Sequence, residues 1–326
     1  MKIILVTGGT GLVGNAIRTI SNAYPESTFV FVSSSMFDLS RIEDTQKMFS
    51  TYQPDTVIHL AACVGGLYKN INNKVEMLEK NVKINFNVIS CAYEFRVKKL
   101  VACLSTCIFP DKVSYPIDET MLHNGPPHSS NDAYAYAKRL VEIQCGAYRE
   151  NFGCNFICVS PTNIYGPHDN FDLENGHVLP ALIHKCYLAK QMDNDFIIRG
   201  SGKPLRQFIY SEDLAKMIMR VVEKGTAPNM ILSVPEEDET SIEEVGRLIA
   251  RRFNYEHRVV FDTSYTDGQY KKTVSTKKWE EFAKNDPISY TSIQHGISDT
   301  VDWFLMNENI RRVSTPSLEM NNNKQS

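Results

Sequence analysis

The chain has 326 residues, 42% hydrophobic and 22% charged, with a formal net charge of −3, proportions ordinary for a globular fold. That balance excludes the basic surface of a nucleic-acid binder, and no apolar run approaches the roughly 18–20 residues of a membrane span. The first predicted strand starts at Lys2, leaving no room for a secretion signal, so a cytoplasmic protein without membrane or nucleic-acid partners is expected.

Lys2-Ile3-Ile4-Leu5-Val6-Thr7 is a β-branched run that ends in Gly8-Gly9-Thr10-Gly11-Leu12-Val13-Gly14, and Leu12 to Ile20 reads as a helix. Strands are predicted at Thr28–Val32, Thr56–Leu60, Leu100–Leu104 and Asn155–Val159, with long helices from about Asn73 to Phe95 and from about Asp132 to Asn151. Continuous apolar strands alternating with helices predict an α/β fold, a Rossmann-like doubly wound parallel sheet forming a nucleotide-binding type of domain over 1–164. From Tyr165 the alternation loosens. Helical segments near 177–191, 211–224 and 241–253, with short strands at Phe196–Ile198, Met230–Leu232 and Arg258–Phe261, predict a smaller mixed α/β substrate lobe over 165–310. The two are expected to interleave, with 205–233 completing the nucleotide domain. The polar stretch 312–326 is expected to be disordered.

Eight cysteines (63, 91, 103, 107, 145, 154, 158 and 186) contain no C-x-x-C pair. Most fall in predicted elements, where cysteine is a small buried hydrophobe, and neither disulfides nor a metal site is expected. Cys107 stands apart, just past the fourth strand.

The glycine turn follows a predicted strand and opens a helix, the context in which it binds a dinucleotide. Gly8 permits the tight turn, Gly11 lets the pyrophosphate approach the backbone, and Gly14 allows close helix–strand packing, with the phosphates at the positive end of the helix. An NAD site usually carries an acid after the second strand to bind the ribose 2′-hydroxyl. Here Ser33-Ser34-Ser35 stand there, and hydroxyls without a repelling carboxylate point to NADP(H). Asp38 follows, to touch the adenine or to cap the helix near Arg41.

Tyr134 and Lys138 lie four apart on one helical face. An ammonium there stabilises a phenolate, so Tyr134 is expected to have a lowered pKa and to exchange a proton with a carbonyl or hydroxyl oxygen. Ser105, past the fourth strand, would hydrogen-bond the same oxygen.

Together these features resemble the extended short-chain dehydrogenase/reductases, a family of nucleotide-sugar enzymes. The segments Ser105-Thr106-Cys107-Ile108-Phe109-Pro110, Pro161-Thr162-Asn163-Ile164-Tyr165-Gly166-Pro167-His168-Asp169-Asn170-Phe171 and His177-Val178-Leu179-Pro180-Ala181 resemble a member with two activities. The resemblance, which runs from Lys2 to about residue 308, implies 3,5-epimerisation and NADPH-dependent 4-reduction of the nucleotide sugar GDP-4-keto-6-deoxy-D-mannose. A C4 ketone acidifies the hydrogens on C3 and C5, and inverting each centre takes a base on one side of the sugar and an acid on the other. The resemblance assigns these roles to Cys107 and His177; Cys107 would need a depressed pKa, which a nearby cation could supply.

The same resemblance places Cys103, Leu104, Ser105 and Thr106, with Pro161, Thr162, Asn163 and Ile164, beside the nicotinamide half of the cofactor, together with Tyr134, Lys138 and His177. It places Lys185, Arg199, Arg206 and Asp267 at the GDP-sugar. Arg206 and Lys185 suit a pyrophosphate, while Arg199 stands where an aromatic is expected to stack on guanine. A homodimer through two helices per subunit is implied as well. A 4,6-dehydratase would carry an acidic pair where Thr106-Cys107 stand, and a plain 4-epimerase would need neither Cys107 nor His177. A 4-reductase without epimerisation and a catalytically silent NADP-binding regulator are the alternatives.

Overall fold

The computed structural model describes residues 1–267 and 269–311, so the expectation for 312–326 lies outside the described residues. The first half runs β1 (Lys2–Thr7), α1 (Leu12–Ile20), β2 (Ser27–Val32), α2 (Ile42–Tyr52), β3 (Thr56–His59), α3 (Leu67–Asn72), α4 (Lys74–Glu94), β4 (Lys99–Cys103), α5 (Asp132–Phe152) and β5 (Phe156–Pro161). Then follow β6 (Asn163–Tyr165), α6 (Val178–Gln191), β7 (Phe196–Arg199), β8 (Leu205–Arg206), β9 (Phe208–Tyr210), α7 (Ser211–Lys224) and β10 (Asn229–Leu232). The remainder holds β11 (Thr240–Ser241), α8 (Ile242–Arg252), β12 (Val259–Asp262), α9 (Lys277–Ala283) and α10 (Ile293–Met306).

Six strands form one parallel sheet in the order β2-β1-β3-β4-β5-β10, the doubly wound architecture that the alternation predicts. Helices cover both faces, which is why its central strands read as unbroken apolar runs. On one face Val88 and Ile89 of α4 and Val141 of α5 pack over Leu5, Val57 and Leu100. On the other, Ala16 and Ile17 of α1 and Leu214 and Ile218 of α7 pack over Ile4, Val6 and Val101. Burial of each such aliphatic side chain contributes about 1.5–3 kcal/mol. From β1 the chain turns to β2 on one side and then to β3 on the other, so the connections diverge at their carboxyl ends and leave a crevice there.

The second lobe is made of two-stranded pieces, β6 with β9, β7 with β12 and β8 with β11, around a third core containing Ile183, Phe196, Ile249, Val301 and Phe304. The chain crosses between the two bodies repeatedly. Strands β8 and β9 pair within the lobe, α7 and β10 then build on the large sheet, and Trp279 and Ala283 of α9 return to its core. All eight cysteines are free thiols. Among the described residues no helix is long and apolar enough to cross a membrane.

Candidate active site

A cleft of about 1160 Å³ opens at the carboxyl ends of the strands, lined from Gly8 after β1 across to Lys185 and Arg199 in the second lobe. Gly8 adopts φ +70, and a Cβ there would sit 2.9 Å from the Ala61 nitrogen, so only glycine makes this turn without strain. A Cβ on Gly14 would lie 2.5 Å from the Gly8 carbonyl oxygen, whereas one on Gly11 would meet only that oxygen, at 3.4 Å. Gly11 caps α1 without a side chain, leaving the first amides of the helix open to an anion. Thr10, Gly11, Leu12, Val13 and Gly14 line the cleft, and this cradle of backbone fits a dinucleotide pyrophosphate. Gly9 does not line it; its N–H donates to Val32 O at 2.8 Å, and a Cβ would strike Phe31.

Ser33 and Ser34 line the wall past β2, and Ser33 and Ser35 share a hydroxyl hydrogen bond of 2.8 Å. Asp38 is also on the wall, but its carboxylate accepts from the Ser40 hydroxyl (2.6 Å) and N–H (3.0 Å), bonds that lower its pKa. Lys80 of α4 lines the same region, a cation that motif reading passed over. Beneath the glycine turn lies His59, 1% exposed, with Nε2 3.0 Å from Asn85 Oδ1 and Nδ1 2.8 Å from the Thr7 hydroxyl. The amide oxygen only accepts, so Nε2 carries the hydrogen and Nδ1 accepts from Thr7. Burial, with the Lys138 charge, pushes this imidazole down to about 3.

Past Cys103 and Leu104 the chain makes a single tight turn over Thr106–Ile108, in which the Cys107 N–H donates to Ser105 Oγ at 3.4 Å. Arg139 of α5 pins this turn through its Nε to Ile108 O at 2.6 Å. Tyr134 and Lys138, one turn apart on α5, face it. Lys138 is 2% exposed, donates to Cys103 O at 2.8 Å and lies 6.0 Å from the Tyr134 ring centroid. Pro161, Thr162, Asn163 and Ile164 form the opposite wall, held by Thr162 to Ser233 (3.0 Å) and Asn163 to Gln207 O (3.2 Å). His177 enters from the start of α6, with Nδ1 3.6 Å from Asp169 Oδ1. The acceptor carboxylate of Asp169 beside it favours the imidazolium and raises the His177 pKa against burial. Ser105, Cys107, Tyr134, Lys138 and His177 therefore share one cleft.

Two sequence expectations are corrected. Tyr134 is not lowered: burial holds the phenol well above its ordinary value, and the neighbouring thiols Cys107 and Cys103 push the same way. Cys107 does acquire a cation, Lys272, with a smaller contribution from the Ser105 hydroxyl, yet burial outweighs both and the thiol pKa is raised. Lys272 also lines the cleft and was missed because its position depends on a long-range contact. Residues 269–275 form a strap along the loop after Cys107: Gln269 donates to Tyr115 Oη (3.0 Å), Tyr115 to Lys271 O (2.7 Å), and Ile117 N–H to Thr273 O (2.9 Å).

At the substrate end the structure brings Lys185 and Arg199 to the wall, where Arg199 stacks 4.6 Å over Tyr265, but not Arg206 or Asp267. Arg206 turns its Nη1 to Leu205 O at 2.6 Å, and Asp267 accepts from the Ser201 N–H (2.8 Å) and hydroxyl (2.6 Å).

Residues 4–232 match the model of the NAD dependent epimerase/dehydratase family, and the chain belongs to that family. Within it, the chain is 51% identical to the GDP-L-fucose synthase of Dictyostelium discoideum over 309 residues, 94% of this chain and 96% of that one. It is 45% identical to a probable GDP-L-fucose synthase of Drosophila melanogaster, over 94% and 98% of the two chains. The crystal structure of a GDP-L-fucose synthetase from Naegleria fowleri bound to NADP superposes with a TM-score of 0.90 at 48% identity, covering 94% of each chain.

Proposed function

We propose that this chain converts GDP-4-keto-6-deoxy-D-mannose to GDP-L-fucose, inverting C3 and C5 and then reducing C4 at the expense of NADPH. The observation that carries the reading is the presence of Cys107 and His177 in the same cleft as Ser105, Tyr134 and Lys138, because reduction alone needs only the latter three. The relatives named above support it.

The C4 carbonyl of the bound sugar takes hydrogen bonds from Ser105 and Tyr134, which draw electron density onto O4 and acidify C3–H and C5–H. Cys107 removes each proton as thiolate, the form that Lys272 favours against burial while Ser105 is engaged with O4. His177, held protonated by Asp169, returns a proton from the other side and inverts the centre; before the second inversion the Cys107 thiol gives up its proton to solvent and His177 takes one from solvent. NADPH, when bound at the glycine turn, supplies the hydride for C4. Tyr134 gives its proton to O4, and its raised pKa keeps that proton in place until it is needed. Lys138, fixed by Cys103 O, offsets the negative charge left on the phenolate. Lys185 and Arg199, which line the cleft, take the GDP phosphates and base in this reading, while Arg206 bonds Leu205 O and Asp267 orders the Ser201 loop. Ser33 and Ser34 accommodate the 2′-phosphate that distinguishes NADP.

The outer faces of α4 and α5 carry Phe86 (57% exposed), Leu140 (46%) and Ile143 (51%), an apolar patch suited to the same two helices of a second copy. The cofactor and a nucleotide-sugar substrate, with a homodimeric assembly, complete the reading.

The test follows NADPH oxidation with the 4-keto sugar in heavy water and reads the product by NMR. GDP-L-fucose deuterated at C3 and C5 is expected. An unepimerised 6-deoxy sugar without deuterium would leave a 4-reductase, and cofactor binding without turnover would leave a silent regulator.

A further inference from the structure

We propose that Asp169 is a positioning residue for His177, a buried carboxylate that orients the imidazole and holds it as a proton donor without touching the substrate. The inference rests on the reading of His177 as the acid of epimerisation. The side chain of Asp169 is 3% exposed. Its Oδ1 accepts from the Asn170 N–H at 2.7 Å and lies 3.6 Å from His177 Nδ1, while its buried Oδ2 has no hydrogen-bond partner. A carboxylate in this setting is costly unless a cation faces it, and the imidazolium of His177 is the cation at hand. With Nδ1 turned to Asp169, Nε2 is left for the cleft.

The turn between them is braced so that the pair holds its distance. Gly166 (φ +151) and His168 (φ +68) start it in conformations that side chains seldom adopt, and His168 packs 4.6 Å from the ring of Trp303. Phe171 packs on Trp303 and Phe304, and its carbonyl oxygen meets His184 Nδ1 at 2.8 Å. The N–H groups of Glu174 and Asn175 donate to Asp172 Oδ1, and that of Gly176 to Asp172 O, closing the turn directly before His177. Other ionisable groups line the same cleft: His168 and Glu174 on this turn, Lys185 two turns along α6, Cys107 past β4, Tyr134 and Lys138 on α5, and Lys272 on the strap. Among the described residues, Asp169 is the one at ion-pair distance from the imidazole.

The experiment measures deuterium entry at C3 and C5 against pH for the wild type, Asp169→Asn and Asp169→Glu, with NADPH affinity and thermal melting as controls. In Asp169→Asn the alkaline limb of the profile is expected to move to lower pH, with exchange at pH 8 falling about tenfold while pH 6 is less affected. Asp169→Glu should recover part of the alkaline rate. An unmoved profile, or a loss uniform across pH, would overturn the assignment. NMR titration of histidine-labelled wild type, with His177→Asn for assignment, tests the same point without an Asp169 variant; a His177 pKa at or below about 6.5 refutes it. Wild-type enzyme that exchanges neither proton would sink the acid role of His177 instead, and the titration would still report the coupling.

Discussion

His59 ties the stability of the cofactor half to pH. It lies at the carboxyl end of β3, bonded to Thr7 at the end of β1 and to Asn85 on α4, and its folded pKa of about 3 stands against 6.5 for an ordinary imidazole. Below pH 6.5 the unfolded chain takes up a proton that the folded one refuses, so stability falls as pH falls, and the loss ends near pH 3. Linkage makes the loss about 2 kcal/mol between pH 7 and pH 5, and about 5 kcal/mol once both states are protonated. Other groups titrate over this range too, so the quantity to measure is the gap between wild type and His59→Gln, whose amide cannot charge. Urea unfolding followed by tryptophan fluorescence at pH 7 and pH 5 gives it. The variant is less stable at pH 7 for its lost fit, and the gap is expected to shrink by about 2 kcal/mol at pH 5. An equal gap at both pH values would mean that His59 is accessible to protons in the folded protein.

Tyr134→Phe should cost about 10²–10⁴ in reduction, read by NADPH oxidation, while NMR still detects deuterium entering C3 and C5. Lys272→Met removes the cation that opposes burial at Cys107, so the acid limb of the exchange profile should move to higher pH, and an unmoved limb would take Lys272 out of the acid–base chemistry. Gly14→Ala drives a methyl group onto the Gly8 carbonyl, and a loss of about 1–3 kcal/mol in thermal stability with weakened NADPH binding by titration calorimetry is expected. Ile143→Glu places a charge in the exposed α5 patch; light scattering is expected to find the proposed dimer in wild type and monomers in the variant, and a monomeric wild type would refute the dimer.

What was legible in the chain is what a few neighbouring residues decide by themselves. Gly8 and Gly14 declare the cofactor turn because their steric need is local, and Tyr134 and Lys138 share a face through helical spacing alone. The six sheet strands could be read as apolar runs, whereas β6, β8 and β11, two or three residues each, are too short to show any periodicity. Direction is the next thing lost. Arg206 and Asp267 have the right charge for a nucleotide sugar, but the chain spends Arg206 on a neighbouring carbonyl and Asp267 on Ser201.

The pKa expectations failed for a related reason: a motif shows which charges can meet and not how much water each keeps. Tyr134 beside Lys138 reads as a lowered phenol, yet α5 sinks both against β4, and desolvation acts on tyrosine and lysine in opposite directions, each toward its neutral form. Cys107 is subject to the same burial, and the groups that tune it and His177, the proposed acid–base pair, arrive by different routes. Asp169 reaches His177 across a turn whose brace comes from Trp303, and Lys272 reaches Cys107 on a strap zipped to residues 115–117. Ser105, Tyr134 and Lys138, the proposed reductase half, thus sit on elements that the sequence announces, while the polarity around Cys107 and His177, the proposed epimerase half, is set from the second lobe. Separating that lobe from the sheet should therefore abolish proton exchange through its control of Cys107 and His177, even where Ser105, Tyr134 and Lys138 remain in register.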